Sequence, residues 1–124
     1  MAASVKISPM NSIVFISDSN GGEPPLPMRG ELIWSSESCV VVGCFPEQDG
    51  PTDITVGARQ DVDPGYPVAF EGVLETPNRQ IVVSTVMEET VLEWPSPAER
   101  ARLSVWLSHP VWPEQVILGV DEVR

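Results

Sequence analysis

Between Gln80 and Leu107 the chain carries three apolar runs separated by turn-forming residues. Ile81-Val82-Val83-Ser84-Thr85-Val86 is β-branched almost throughout. Val91-Leu92-Glu93-Trp94 follows, then Pro95-Ser96-Pro97, then Leu103-Ser104-Val105-Trp106-Leu107. β-Branched side chains lose rotamer freedom in a helix and pack well on a pleated surface, so these runs call for a sheet lying over a core.

The rest of the chain reads as neighbours of that sheet. Short apolar or alternating runs occur at Val5–Ser8, Ser12–Ser17, Glu31–Trp34, Ser38–Cys44, Ile54–Gly57, Val68–Leu74 and Val116–Val123. Thirteen prolines and nine glycines punctuate them, which is the spacing of turns in an all-β protein rather than a helix bundle. The stretch Asp18 to Pro27, with its glycine pair and three prolines, is a loop of polyproline character. The pattern predicts an all-β fold: a single domain over 1–124, built as a two-sheet antiparallel β-sandwich of eight to ten short strands. Its core is expected to contain Val40, Val42, Phe70, Ile81, Val83, Leu103, Val105 and Leu118.

One segment supports two structures. Ser96-Pro97-Ala98-Glu99 has the form of a capping box with proline at the first helical position, which could start a helix through Leu107. Leu103, Val105 and Leu107 alternate with polar or outward positions, however, which is strand periodicity. The alternation favours one helical turn at 97–101 feeding a strand.

Eighteen acidic against seven basic residues leave a formal charge of −11. Such a chain lacks the basic footprint of a nucleic-acid or anionic-membrane binder. The charge permits a basic protein partner; it also serves solubility alone. The longest apolar run near the N-terminus, Ile13 to Ile16, is too short for a signal-peptide core, and nothing approaches a membrane span, so a cytoplasmic protein is expected. Cys39 and Cys44 stand an odd number of positions apart in one apparent strand. That offset puts them on opposite faces with Cα atoms about 16 Å apart, so both are expected as reduced thiols.

Catalytic sets are hard to assemble. His109 is the single histidine and sits in a His-Pro loop, with no motif pairing it to either cysteine. Asp18, Asn20, Glu23, Asp61 and Asp63 are oxygen donors at spacings that calcium loops use, but the twelve-residue EF-hand pattern is missing and turns demand the same residue types. Gly21, Gly22 and Gly65 lack a phosphate-binding context. No enzyme activity, metal or cofactor is expected. The residues of interest are instead those of a protein-binding surface. Asp49, Asp53, Asp61 and Asp63 lie in an acidic stretch from Glu47 to Pro67 whose single base is Arg59. Trp106 points away from the core on a polar face, as an interface anchor would, unless a loop such as the one carrying Trp112 folds over it.

The order of these elements resembles the competence protein J family. It runs through a short strand, a Val-Phe-Ile strand (Val14 to Ile16), a proline-containing loop from Ser17 to Pro27, and paired β segments. Next come Pro-Val-x-Phe (Pro67 to Phe70), Ile-x-Val-x-x-Val-Met (Ile81 to Met87), a strand ending at Pro95, a Leu-x-x-Trp strand (Leu103 to Trp106) and a closing Val-Ile-Leu strand. The resemblance implies a β-sandwich acting as a non-enzymatic, acidic inhibitor of a bacterial nuclease. The alternative from the residues themselves is a small-molecule or calcium-dependent binding module using the loops at one end of the sandwich.

Overall fold

The computed structural model describes residues 2–26 and 30–123, so Pro27 of the expected polyproline loop lies outside the described residues. Ten strands and one short helix follow in the order β1 (Ala2–Ile7), β2 (Ile13–Asp18), β3 (Ile33–Ser35), β4 (Cys39–Gly43), β5 (Thr52–Ala58), α1 (Arg59–Val62), β6 (Phe70–Glu75), β7 (Gln80–Ser84), β8 (Thr90–Pro95), β9 (Arg100–Leu107) and β10 (Gln115–Glu122). A 3₁₀ turn, Met10–Ser12, joins β1 to β2. The strands form two five-stranded sheets, β1-β5-β10-β9-β6 and β3-β4-β2-β7-β8. The expected β-sandwich is therefore present, with each expected strand in place to within a few residues.

One pairing departs from the all-antiparallel expectation. β10 runs parallel to β5, in register from Gln115 beside Asp53 to Val120 beside Ala58. Parallel neighbours need a long crossover, and here everything from α1 to the β9–β10 loop supplies it. On its other side β10 pairs antiparallel with β9.

The alternation read from the sequence sets the core. Val14, Ile16, Val40, Val42, Ile54, Val56, Leu74, Ile81, Val83, Leu103, Val105, Val116 and Leu118 are buried between the sheets, and Phe70 packs at its margin. Each fully buried Val, Leu or Ile contributes about 1.5–3 kcal/mol relative to exposure, so this layer dominates stability. Both cysteines are free and buried. Cys44 belongs to the core cluster, whereas Cys39 lies on the opposite face of its sheet, as the odd spacing requires.

The helical turn expected at 97–101 does not form: residues 97–99 are a bend and β9 begins at Arg100. The hydroxyl expected to cap a helix is used otherwise. Ser96 Oγ lies 2.9 Å from Thr76 Oγ1, and the Ala98 carbonyl accepts from Thr76 Oγ1 at 2.8 Å and Ser96 Oγ at 2.7 Å. Those bonds hold the bend against the β6–β7 turn. The short helix lies instead at Arg59–Val62, where propensity gave no strong signal.

Strand directions give the sandwich two distinct ends. At one end lie the tops of β2 and β5, helix α1, the β6–β7 turn and the β8–β9 bend; at the other lie the Met10–Ser12 turn, the Phe45–Gly50 loop, the β7–β8 turn and the β9–β10 loop. Asp18 organises the first end. Its carboxylate is 1% exposed and accepts from Asn78 N at 2.9 Å, Asn78 Nδ2 at 2.6 Å and Asn20 N at 3.1 Å. Burial works to raise its pKa, but these donors outweigh it and hold the carboxyl below its usual value.

Candidate functional site

The outer face of the β1-β5-β10-β9-β6 sheet is where the sequence places Trp106, and the side chain does point away from the core. It is nevertheless only 1% exposed. Because β5 ends at the α1 end and β6 begins at the opposite one, residues 59–69 must cross the outside of this sheet to connect them. In crossing they cover the indole. Trp106 Nε1–H donates to the Tyr66 carbonyl at 3.0 Å. The Arg59 guanidinium sits 5.9 Å from the ring centroid and reaches Glu71 Oε1 at 3.0 Å, which Arg102 also approaches at 3.3 Å. The covering segment is thus 59–66, not the loop of Trp112, and the expectation of Trp106 as an accessible anchor is corrected: it is a structural residue under a strap.

The four aspartates singled out from the sequence do not form one patch. β5 runs through the acidic stretch and separates them. Asp49 and Asp53 stand at its start, at the β9–β10 loop end; Asp61 and Asp63 stand in and after α1, at the other end. The five residue steps from Asp53 to Ala58 span about 17 Å. That is roughly two Debye lengths at physiological salt, so the pairs act as separate charges on a partner. Asp63 is also engaged locally, accepting from Gly65 N at 2.8 Å.

Around Asp49 and Asp53 the chain closes one end of the sandwich as a continuous hydrogen-bonded unit. Glu47 Oε1 accepts from Asn11 N at 3.2 Å, and Glu47 N donates to Ser12 Oγ at 2.9 Å, tying the Met10–Ser12 turn to the Phe45–Gly50 loop. Asp53 N donates to the Glu114 carbonyl at 2.8 Å, tying β5 to the end of the β9–β10 loop. In that loop His109 Nδ1 accepts from Val111 N at 3.1 Å and from Trp112 N at 3.0 Å. The imidazole stacks on the indole of Trp112, 5.8 Å between centroids and 14° between planes. Prolines at 110 and 113 keep this segment out of the strand ladder.

Large apolar side chains are exposed in several places, Leu26 most of all at 88%, and three of them lie at this end. Trp112 is 58% exposed, Val111 52% and Met10 47%. Sequence reading placed Trp112 in a loop but passed it over; the signal available was the His109-Pro110-Val111-Trp112-Pro113 run, whose two prolines force a projecting turn.

The carboxylates are spread over both ends, with Asp18, Asp61, Asp63, Glu75, Glu99, Asp121 and Glu122 on the α1 half, but the arginines are segregated. Among the described residues Arg59, Arg79, Arg100 and Arg102 all lie on the α1 half, by their positions in the strand registers. Glu47, Asp49, Asp53 and Glu114 lie on the other half, where Lys6 is the described Lys or Arg, in register beside Asp53.

A second concavity lies on the outside of the β3-β4-β2-β7-β8 sheet. It is a groove of about 430 Å³ with Phe15, Ser17, Cys39 and Val82 at its floor and the Ser19–Gly22 loop at its wall. No catalytic set faces it. Burial pushes the Cys39 thiol up to about 11. It pushes that of Cys44 up to about 12, with Thr52 opposing, and Cys44 faces the core. Neither is a thiolate nucleophile at neutral pH. Among the described residues no three His, Cys, Asp or Glu side chains are placed to hold a metal ion, and no helix is long and apolar enough to cross a membrane.

No family model matches this chain, and no curated protein matches it by sequence. Among solved structures, the fold is similar to the crystal structure of ComJ, inhibitor of the DNA degrading activity of NucA, from Bacillus subtilis, with a TM-score of 0.69 at 9% identity over 98% of this chain and 96% of that chain. The product of crocagin biosynthetic gene J aligns over 99% of this chain and 96% of that chain at 10% identity, with a TM-score of 0.49. The chain has a ComJ-like fold, as its order of motifs implied.

Proposed function

We propose that this protein is a non-enzymatic inhibitor that acts by binding a protein, a nuclease with a basic DNA-binding surface. The observation that carries this reading is an end of the ComJ-like fold where Glu47, Asp49, Asp53 and Glu114 lie and which holds no arginine among the described residues; the described arginines all lie at the other end. Nucleases hold a polyanion through a basic cleft, and an acidic protein can enter the same field with fast, salt-sensitive association. A net charge of −11 supports the same partner class and disfavours direct contact with DNA.

The site chemistry is that of binding. His109 spends its acceptor nitrogen on two backbone amides, and the thiols are buried and neutral. A reading as a small-molecule module draws on the groove over Phe15 and Val82. Calcium dependence draws no support, because the oxygens of Asp18 are occupied by amide donors.

The test is DNA cleavage by the nucleases encoded in the same genome, measured against rising concentrations of this protein in low and physiological salt. Stoichiometric inhibition that weakens as salt rises supports the reading. Undiminished cleavage by every nuclease, or retention of DNA by the protein itself, overturns it.

A further inference from the structure

We propose that the docking surface is the end of the sandwich built from Met10, Glu47, Asp49, Asp53, Glu114 and Trp112, and that the partner presents an apolar recess ringed by Lys and Arg. This rests on the reading of the chain as a protein-binding inhibitor and names the surface used.

Three observations converge on that end. First, an indole exposed to 58% leaves apolar area in water that only a partner would remove. Val111 and Met10, also exposed, lie at the same end. Second, the indole is held before any partner arrives. The Trp112 and Val111 amides are fixed on His109 Nδ1 at 3.0 and 3.1 Å, and the ring is stacked on the imidazole. A preset aromatic loses little rotamer freedom on burial, which is the property of an energetic anchor. Third, carboxylates lie at the same end, on segments tied together by hydrogen bonds from Asn11 N to Glu47 Oε1 and from Asp53 N to the Glu114 carbonyl.

Charge fixes what the occupant must be. An acidic partner would meet four carboxylates at this end, and a neutral one would leave them desolvated without compensation. A basic surface gains at this end, where Lys6 is the one Lys or Arg among the described residues, whereas at the other end Arg59, Arg79, Arg100 and Arg102 offset part of the carboxylate charge. The anchor and its rim have separable duties. The rim carboxylates raise the encounter rate, and the desolvated indole slows departure.

The experiment measures association and dissociation rates with the nuclease identified by the cleavage assay, and maps amide shifts by NMR on adding polylysine, a probe that needs no known partner. Trp112→Ala should raise Kd at least 30-fold, almost wholly through faster dissociation. Asp49→Asn with Asp53→Asn and Glu114→Gln should slow association about tenfold and flatten its salt dependence. Asp61→Asn with Asp63→Asn, at the opposite end, should change either rate less than twofold. Polylysine should shift amides of residues 47–53 and 109–114 more than those of 59–63. A parent that binds the nuclease while Trp112→Ala binds equally well overturns the anchor. Equal polylysine shifts at both ends overturn the charge argument. If no nuclease binds while polylysine still selects this end, the surface stands and the inhibitor reading falls.

Discussion

A Cβ built on Gly119 would lie 2.8 Å from Trp106 Cζ3 and 3.1 Å from the Arg59 Cα, so the indole and the start of α1 both rest on bare backbone. Gly119 pairs with Ser104 across β10 and β9, two positions along from the Ile117–Trp106 pair, which brings the ring across the glycine. Gly119→Ala must therefore lift the ring, the strap or both. The expected cost is about 1–3 kcal/mol, the usual range for overpacking a filled site, read as a lower urea midpoint at unchanged slope.

Trp106→Ala should cost more, about 3–5 kcal/mol, because it opens a cavity under the strap and strips the Tyr66 carbonyl of its donor. Trp112→Ala should leave the urea midpoint nearly unchanged, because its ring is mostly in water. The contrast between the two is the control for any binding experiment on this chain. If both variants were equally stable, the strap would not be a packing element.

Asp18 makes stability acid-sensitive. Its folded pKa lies below the ordinary value of 3.8, so the folded state favours the carboxylate more than the unfolded chain does. The resulting stabilisation is fully present above the unfolded value and fades as pH falls through the folded one. Asp18→Asn should cost on the order of 2 kcal/mol at pH 7, from hydrogen bonds that lose their ionised acceptor, and should flatten the fall of melting temperature below about pH 4. An unchanged acid limb would show that other carboxylates govern it.

The thiols impose the opposite limb. Burial raises Cys39 to about 11 and Cys44 to about 12, so the folded state binds these protons more tightly than the unfolded chain. Their contribution is whole below the unfolded value near 9 and is lost as pH climbs through the folded values. Thiol titration should find both groups nearly unreactive in the native protein at pH 8 and both reactive in denaturant. Cys39→Ala with Cys44→Ala should lessen the alkaline loss of melting temperature.

The Trp112 loop depends on a neutral imidazole. Nδ1 accepts from two amides, which it can do only with the ring proton on Nε2; a protonated ring has no acceptor left. His109→Ala should raise the exchange rates of the Val111 and Trp112 amides at least tenfold at neutral pH. Protection that stays constant in that variant would assign the loop's order to its prolines instead.

How much of this was legible in the sequence follows from the range of each interaction. Alternation along β7 and β9 gave Ile81, Val83, Leu103 and Val105 as core, because inward and outward faces are set by neighbours two positions apart. The same alternation correctly turned Trp106 outward. What covers it, however, is a strap whose path depends on β6 starting at the opposite end from where β5 stops. That relation is topological and leaves no local mark. Asp49, Asp53, Asp61 and Asp63 were grouped because they are close along the chain, yet the extended strand between them carries the pairs apart. The cap signal at Ser96 was real as chemistry, but its hydroxyl found Thr76, twenty positions earlier, before it found a helix.

The placement of β10 has a consequence for how the chain is made. β1 with β5, and β9 with β6, are each two-stranded ribbons that no hydrogen bond joins until residues 115–122 slot between them. The β3-β4-β2-β7-β8 sheet, in contrast, has all its strands once residue 95 has been synthesised. Until β10 is in place, the apolar faces of Ile54, Val56, Leu103 and Val105 lack their central neighbour, whereas the other sheet does not depend on it. A chain cut short in the β9–β10 loop therefore has every strand of one sheet and two unjoined ribbons of the other, whose open edges are the state from which misassembly between copies would start.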